Sequence, residues 1–73
     1  MNSDILQGKW LQVRGDVKKA WGNLTDDEIS QVEGNIDKLV GKLQEKYGYS
    51  RERAEMEVDQ FRMRMERKYN KDM

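Results

Sequence analysis

Apolar side chains recur along this chain at spacings of three and four. Trp10, Val13, Val17, Ala20 and Trp21 form one stripe, Ile36, Leu39, Val40, Leu43 and Tyr47 a second, and Ala54, Val58, Phe61, Met65 and Tyr69 a third. At 100° per residue each set lies on one face, the period of an amphipathic helix. No window alternates apolar and polar positions as a half-buried strand does, and no Asn-Gly or Asp-Gly pair marks a hairpin. The pattern predicts an all-α fold with main helices over 9–21, 26–47 and 51–69. The middle one is expected to bend or divide near Gly34, because Glu33-Gly34-Asn35 is poor helical sequence. The result is a small bundle of three to four helices forming one domain over 1–73, with its core across about 4–69. The first eight and last four residues are expected to fray.

The boundaries between stripes are explicit. Thr25 is a good N-cap, and Glu28 three residues later completes a capping box. Leu24 and Ile29 flank it as a hydrophobic staple, and Asp26 and Asp27 put negative charge where the helix dipole favours it. Ser50 is the expected cap of the last helix, with Tyr49 and Ala54 as a weaker staple. Helices are expected to stop near Gly22 and Gly48, since glycine after a helix tolerates the left-handed conformation. Lys18, Lys19 and Lys46 suit the negative helix ends.

These signals occur twice. Gly8, Gly15 and Gly22 are spaced by seven, and Gly34, Gly41 and Gly48 repeat that spacing 26 residues later. Trp21 precedes the last glycine of the first triplet and Tyr47 that of the second. Two copies are too few for a solenoid, so the pattern reads as one helix–turn–helix-start unit used twice in one bundle. Gly15 and Gly41 fall nearly opposite the apolar stripes, where each costs its helix ~1 kcal/mol relative to Ala. Three readings are open for them: a smooth strip for a partner helix, local plasticity, or close helix packing within the monomer.

Composition narrows function by exclusion. The chain has 73 residues, 38% of them charged, with 14 Lys+Arg against 14 Asp+Glu and no Cys, His or Pro. It is long enough for one domain with a modest core. Without Cys or His it lacks the thiol nucleophile, the usual general base and the commonest metal ligands. Ser3, Ser30 and Ser50 sit in no nucleophile elbow, and the acidic run 26–28 lacks the alternating ligands of a calcium loop. The glycines are too widely spaced to cradle phosphate. An enzyme is therefore not expected, and neither are a catalytic residue, a cofactor, a bound metal or a small-molecule substrate. No secretory leader and no apolar run of about 20 residues is visible, so the expectation is a cytoplasmic protein with no membrane span.

Charge is unevenly placed. Residues 23–37 carry Asp26, Asp27, Glu28, Glu33 and Asp37 without a cation, while Arg62, Arg64, Arg67, Lys68 and Lys71 crowd the C-terminal end. Arg64, Arg67, Lys68 and Lys71 share a helical face and form the candidate interaction face, for a protein partner or an anionic surface. The plainer alternative is a solvated helix end whose charges suit the dipole. A neutral chain without interleaved aromatics is not expected to bind nucleic acid. Met56 and Met63, opposite the third stripe, are either a partner contact or isolated exposed side chains. Trp10 and Trp21 read as core anchors. Self-association stays open, because a small core gains from covering an apolar face.

Several of these residues together resemble the CsbD-like family of small bacterial stress-response proteins. The resemblance is carried by Gly8-Lys9-Trp10, Gly15, Trp21-Gly22, the LTDDE run at 24–28, Glu33-Gly34 and DKLVGKLQEKYGYSRERAE at 37–55. It covers roughly residues 4–61, with the basic tail from Arg62 expected to lie beyond it. It implies a bacterial cytoplasmic protein with a helical-bundle fold and a general stress role. It carries over no catalytic residue. In composition, six Gly and a mean hydropathy of −1.10 also resemble the hydrophilins, polar proteins tied to water deficit. The apolar stripes and caps depart from that class and argue for a fold.

Overall fold

The computed structural model describes residue 6 and residues 8–69, and the following statements concern those residues. Four helices follow one another: α1 (Trp10–Ala20), α2 (Asp26–Val32), α3 (Ile36–Tyr47) and α4 (Arg51–Tyr69). No strand occurs among them. The predicted division of the middle helix is present. Glu33 and Gly34 both turn left-handed, with φ of 52° and 79°. Asn35 then caps α3, its side-chain oxygen accepting from the Lys38 N–H at 3.1 Å.

The other caps follow the sequence closely. Thr25 Oγ1 accepts from the Glu28 N–H at 3.1 Å, and Glu28 Oε1 accepts from the Thr25 N–H at 2.9 Å, a complete capping box. Ser50 Oγ accepts from the Arg53 N–H at 3.1 Å. The third position of α4 is an arginine, which cannot return the bond, so this cap is one-sided. Gly48 ends α3 in the left-handed conformation with φ of 70°. Gly22 does not adopt it, contrary to expectation. There the chain turns at Trp21 (φ −134°, ψ 80°), and the Leu24 N–H bonds the Trp21 carbonyl at 3.1 Å. Lys18 Nζ reaches over this turn and donates to the Leu24 carbonyl at 2.7 Å.

The core is a single cluster to which every helix contributes. Val13, Val17, Trp21, Leu24, Ile29, Val32, Leu39, Val40, Leu43, Ala54, Val58, Phe61 and Met65 are buried, and no polar or charged residue is. Trp10, Ile36, Tyr47, Tyr49 and Tyr69 pack against its rim, half-buried. Trp10 is therefore a rim residue and Trp21 the true anchor, its ring 4.9 Å from that of Phe61. Ala20 faces solvent despite its place in the first stripe. Leu6 is helical and fully buried, so fraying does not extend to it. Lys9, with φ of −122° and ψ of 29°, separates Leu6 from α1, so Leu6 reaches the core from the turn of chain before that helix. The fraying expected at residues 1–5, 7 and 70–73 concerns positions outside the described residues.

Candidate interaction surface

The basic face predicted on α4 is only partly free. Lys68 Nζ donates to Asp16 Oδ1 of α1 at 2.9 Å. The neighbouring Tyr69 hydroxyl donates to Asp16 Oδ2 at 2.8 Å and lies 3.4 Å from the Gln12 carbonyl. One carboxylate thus receives the end of α4 and ties it to α1. Burial of Asp16 works to raise its pKa, but the bonds from Lys68 and Tyr69 and the charges of Lys68 and Lys19 outweigh it and leave the carboxyl below its ordinary value. The bond to Asp16 also raises Lys68 above its ordinary value, and Tyr69 with it.

Arg64 and Arg67 remain exposed. Arg64 lies over the Phe61 ring, 5.7 Å from its centre, a cation–π placement that keeps the guanidinium at the surface. Together with Met65 and Lys68 they line a shallow, open depression. Lys71 lies outside the described residues. Of the candidate face, Arg64 and Arg67 are exposed and Lys68 is paired with Asp16.

Asp16, Gln12 and the polar role of Tyr69 went unseen in the sequence. A signal existed: Asp16 is the one acid among Lys9, Arg14, Lys18 and Lys19, and Gln12 lies one turn before it. Which helix would face it could not be read from spacing.

The remaining candidates resolve one by one. Asp26 and Asp27 flank the cap. Glu28 is held below its ordinary value, first by the Thr25 N–H and then by Lys46, whose Nζ lies 3.2 Å away. No group of His, Cys, Asp or Glu among the described residues is arranged to hold a metal. Met56 and Met63 are more than half exposed, and with Leu11 they are the large hydrophobic side chains left in solvent among the described residues. A Cβ built on Gly15 or Gly41 meets no atom within 4 Å. That removes close packing within the monomer as the reason for these glycines. No helix among the described residues is long and apolar enough to cross a membrane.

Comparison with known proteins gives the chain relatives over most of its length. A family model described as CsbD-like matches residues 4–56. The UPF0337 protein PA4738 of Pseudomonas aeruginosa is 54% identical over 65 residues, covering 89% of this chain and 100% of that protein. A UPF0337 protein of Bordetella pertussis is 52% identical over 61 residues, 84% of this chain and 92% of its own length. The UPF0337 protein YjbJ of Escherichia coli K12 is 50% identical over 66 residues, 90% of this chain and 96% of that protein. A 65-residue match within 73 residues cannot end before Arg62, so similarity to these relatives extends into the basic tail, beyond the limit expected from the motifs.

Proposed function

The chain belongs to the CsbD-like family, and from that premise we propose that it is a non-enzymatic, cytoplasmic stress-response protein that acts through its hydrated surface. One observation carries this reading: among the described residues every buried residue is apolar, and every charged residue keeps part of its surface in water. A chain with 38% charged residues therefore holds its ions at the water interface on a folded scaffold. Such a surface retains water and separates neighbouring macromolecules as solvent is withdrawn. In this it resembles the hydrophilins in composition while keeping a packed core. The test is protection of a labile enzyme through drying and rehydration. This protein is expected to preserve more activity than an inert helical protein of equal size and charge. Equal preservation removes the proposal.

A second reading rests on Arg64 and Arg67, which are exposed on one side of α4 next to the Asp16–Lys68 pair. They would form an interaction face for a protein partner or an anionic surface. Reversal of both charges, Arg64→Glu with Arg67→Glu, is expected to abolish a salt-sensitive contact with anionic vesicles or with a captured partner. A contact unchanged by the reversal rejects this face.

A further inference from the structure

We propose that this chain exchanges halves with a second copy of itself, by straightening the break at 33–35 into one helix from Asp26 to Tyr47. The first support is the phase of the apolar stripe. Ile29, Val32, Ile36, Leu39, Val40, Leu43 and Tyr47 are spaced 3, 4, 3, 1, 3 and 4, so the stripe crosses the break without losing register. An interruption that served only to separate two helices would not need to preserve it. Both outer ends of the joined helix are already terminated, by the Thr25 capping box and by left-handed Gly48.

The second support is the conformation of the break itself. Glu33 is the one non-glycine residue with positive φ among those described, and Gly34 next to it is also left-handed. Side chains beyond Gly and Asn are disfavoured there, so Glu33 gains by becoming helical. What opposes it locally is slight: the Asn35 cap on Lys38 and the bond from the Asn35 N–H to the Val32 carbonyl at 2.9 Å. Short strained hinges of this kind favour exchange of elements between copies.

The third support is the set of contacts that cross the break. Lys46 meets Glu28 at 3.2 Å, the Asn23 N–H donates to the Tyr47 hydroxyl at 3.2 Å, and Trp21 packs on Phe61. In a straight helix Glu28 and Lys46 lie about 27 Å apart at 1.5 Å per residue, so one chain cannot make that pair. Two straightened copies can, each half finding the complementary half of the other. Every buried contact is then remade and no new surface has to be complementary. The partner is thus fixed by the fold: it is an identical chain.

The test compares the wild-type chain with Gly34→Ala and Glu33→Asn. Alanine disfavours the left-handed turn and favours helix, whereas Asn tolerates the turn. Sedimentation equilibrium is expected to show a dimerisation constant raised at least about tenfold by Gly34→Ala, with two hinges contributing, and lowered by Glu33→Asn. If Gly34→Ala loses its helical circular dichroism, Asn35→Ala replaces it, is expected to raise the constant for the same reason, and is judged by the same criteria. The swap itself is read by carbodiimide coupling of Lys46 to Glu28 in a refolded mixture of light and 15N-labelled chains. Dimers are expected to yield Lys46–Glu28 peptide pairs of mixed isotope. Dimers with only same-isotope pairs, or variants monomeric at every concentration, overturn the proposal.

Discussion

The two copies of the helix–turn unit start from nearly the same pattern and end differently. In the first, Trp21 leaves α1, turns inward and buries its ring against Phe61. In the second, Tyr47 stays in its helix, half-buried, and stacks on Tyr49 at 5.2 Å while its hydroxyl accepts from the Asn23 N–H. The turns differ in the same sense. The first carries one more residue between its last glycine and its staple, Asn23, and it closes through Lys18 on the Leu24 carbonyl. The second closes through left-handed Gly48. At the position 26 residues after Asp16 stands Lys42, which makes only a 4.0 Å pair with Glu45. The first copy therefore holds the C-terminal end of α4 through Asp16, whereas the second meets its start, where Asp37 of α3 lies 3.7 Å from Arg51. A repeated pattern thus specifies where helices start and stop, while the single residues that differ decide which copy supplies the anchor and which the rim.

Breaking the asymmetry at the core has the largest expected effect. Trp21→Ala should cost about 3–5 kcal/mol, as large aromatic deletions from packed cores do. A domain this small has about 4–11 kcal/mol in all, so the variant should be close to unfolded in urea titrations followed by circular dichroism. Tyr47→Phe removes a hydroxyl and leaves the ring, and should cost about 0.5–1.5 kcal/mol.

The turns give a sharper contrast with a smaller effect. Gly48→Ala forces a Cβ into a left-handed position and should cost about 1–2 kcal/mol. Gly22→Ala, at a position without positive φ and with 4.0 Å of clearance to the Lys18 carbonyl, should stay within about 0.5 kcal/mol. Equal losses would mean that both turns close the same way.

The mid-helix glycines should behave alike in both copies. Gly15→Ala and Gly41→Ala place a methyl group in open space and should each stabilise by up to about 1 kcal/mol. A gain at one and a loss at the other would show that one glycine is held open for a partner.

The smallest effect separates the copies by pH. Asp16 and Glu28 sit below their ordinary values of 3.8 and 4.5, so their contributions are complete above those values and are lost as pH falls through the lowered ones. Lys68 and Tyr69 sit above 10.5 and 10.0. Their contributions are complete below those values and are lost as pH rises through the raised ones. Urea midpoints measured across pH should therefore fall at both extremes. Asp16→Asn should flatten the alkaline limb and part of the acid limb, whereas Glu28→Gln should flatten only the acid one.

Local signals made most of the fold legible. Thr25 with Glu28 and Ser50 before Arg51 act within four residues, and backbone geometry leaves such motifs little choice; Asn35, legible only as poor helical sequence, turned out to cap α3. The three stripes named the core residues of α1, α3 and α4 because helical period decides which face is apolar, but they left out Leu6, Leu24, Ile29 and Val32. Distance along the chain hid the rest. Asp16 and Lys68 are 52 residues apart, and nothing local to either announces the other. Trp10 and Trp21 share a stripe, yet the turn of the backbone at Trp21 sends one to the rim and the other to the centre. Spacing along the chain alone dictates three apolar helix faces, the caps at Thr25 and Ser50 and the break near Gly34, because each acts within a turn or two of backbone. Which charges hold α4 to α1 and which face solvent depends on which helix faces are neighbours in space, and that pairing arises in the folded chain alone.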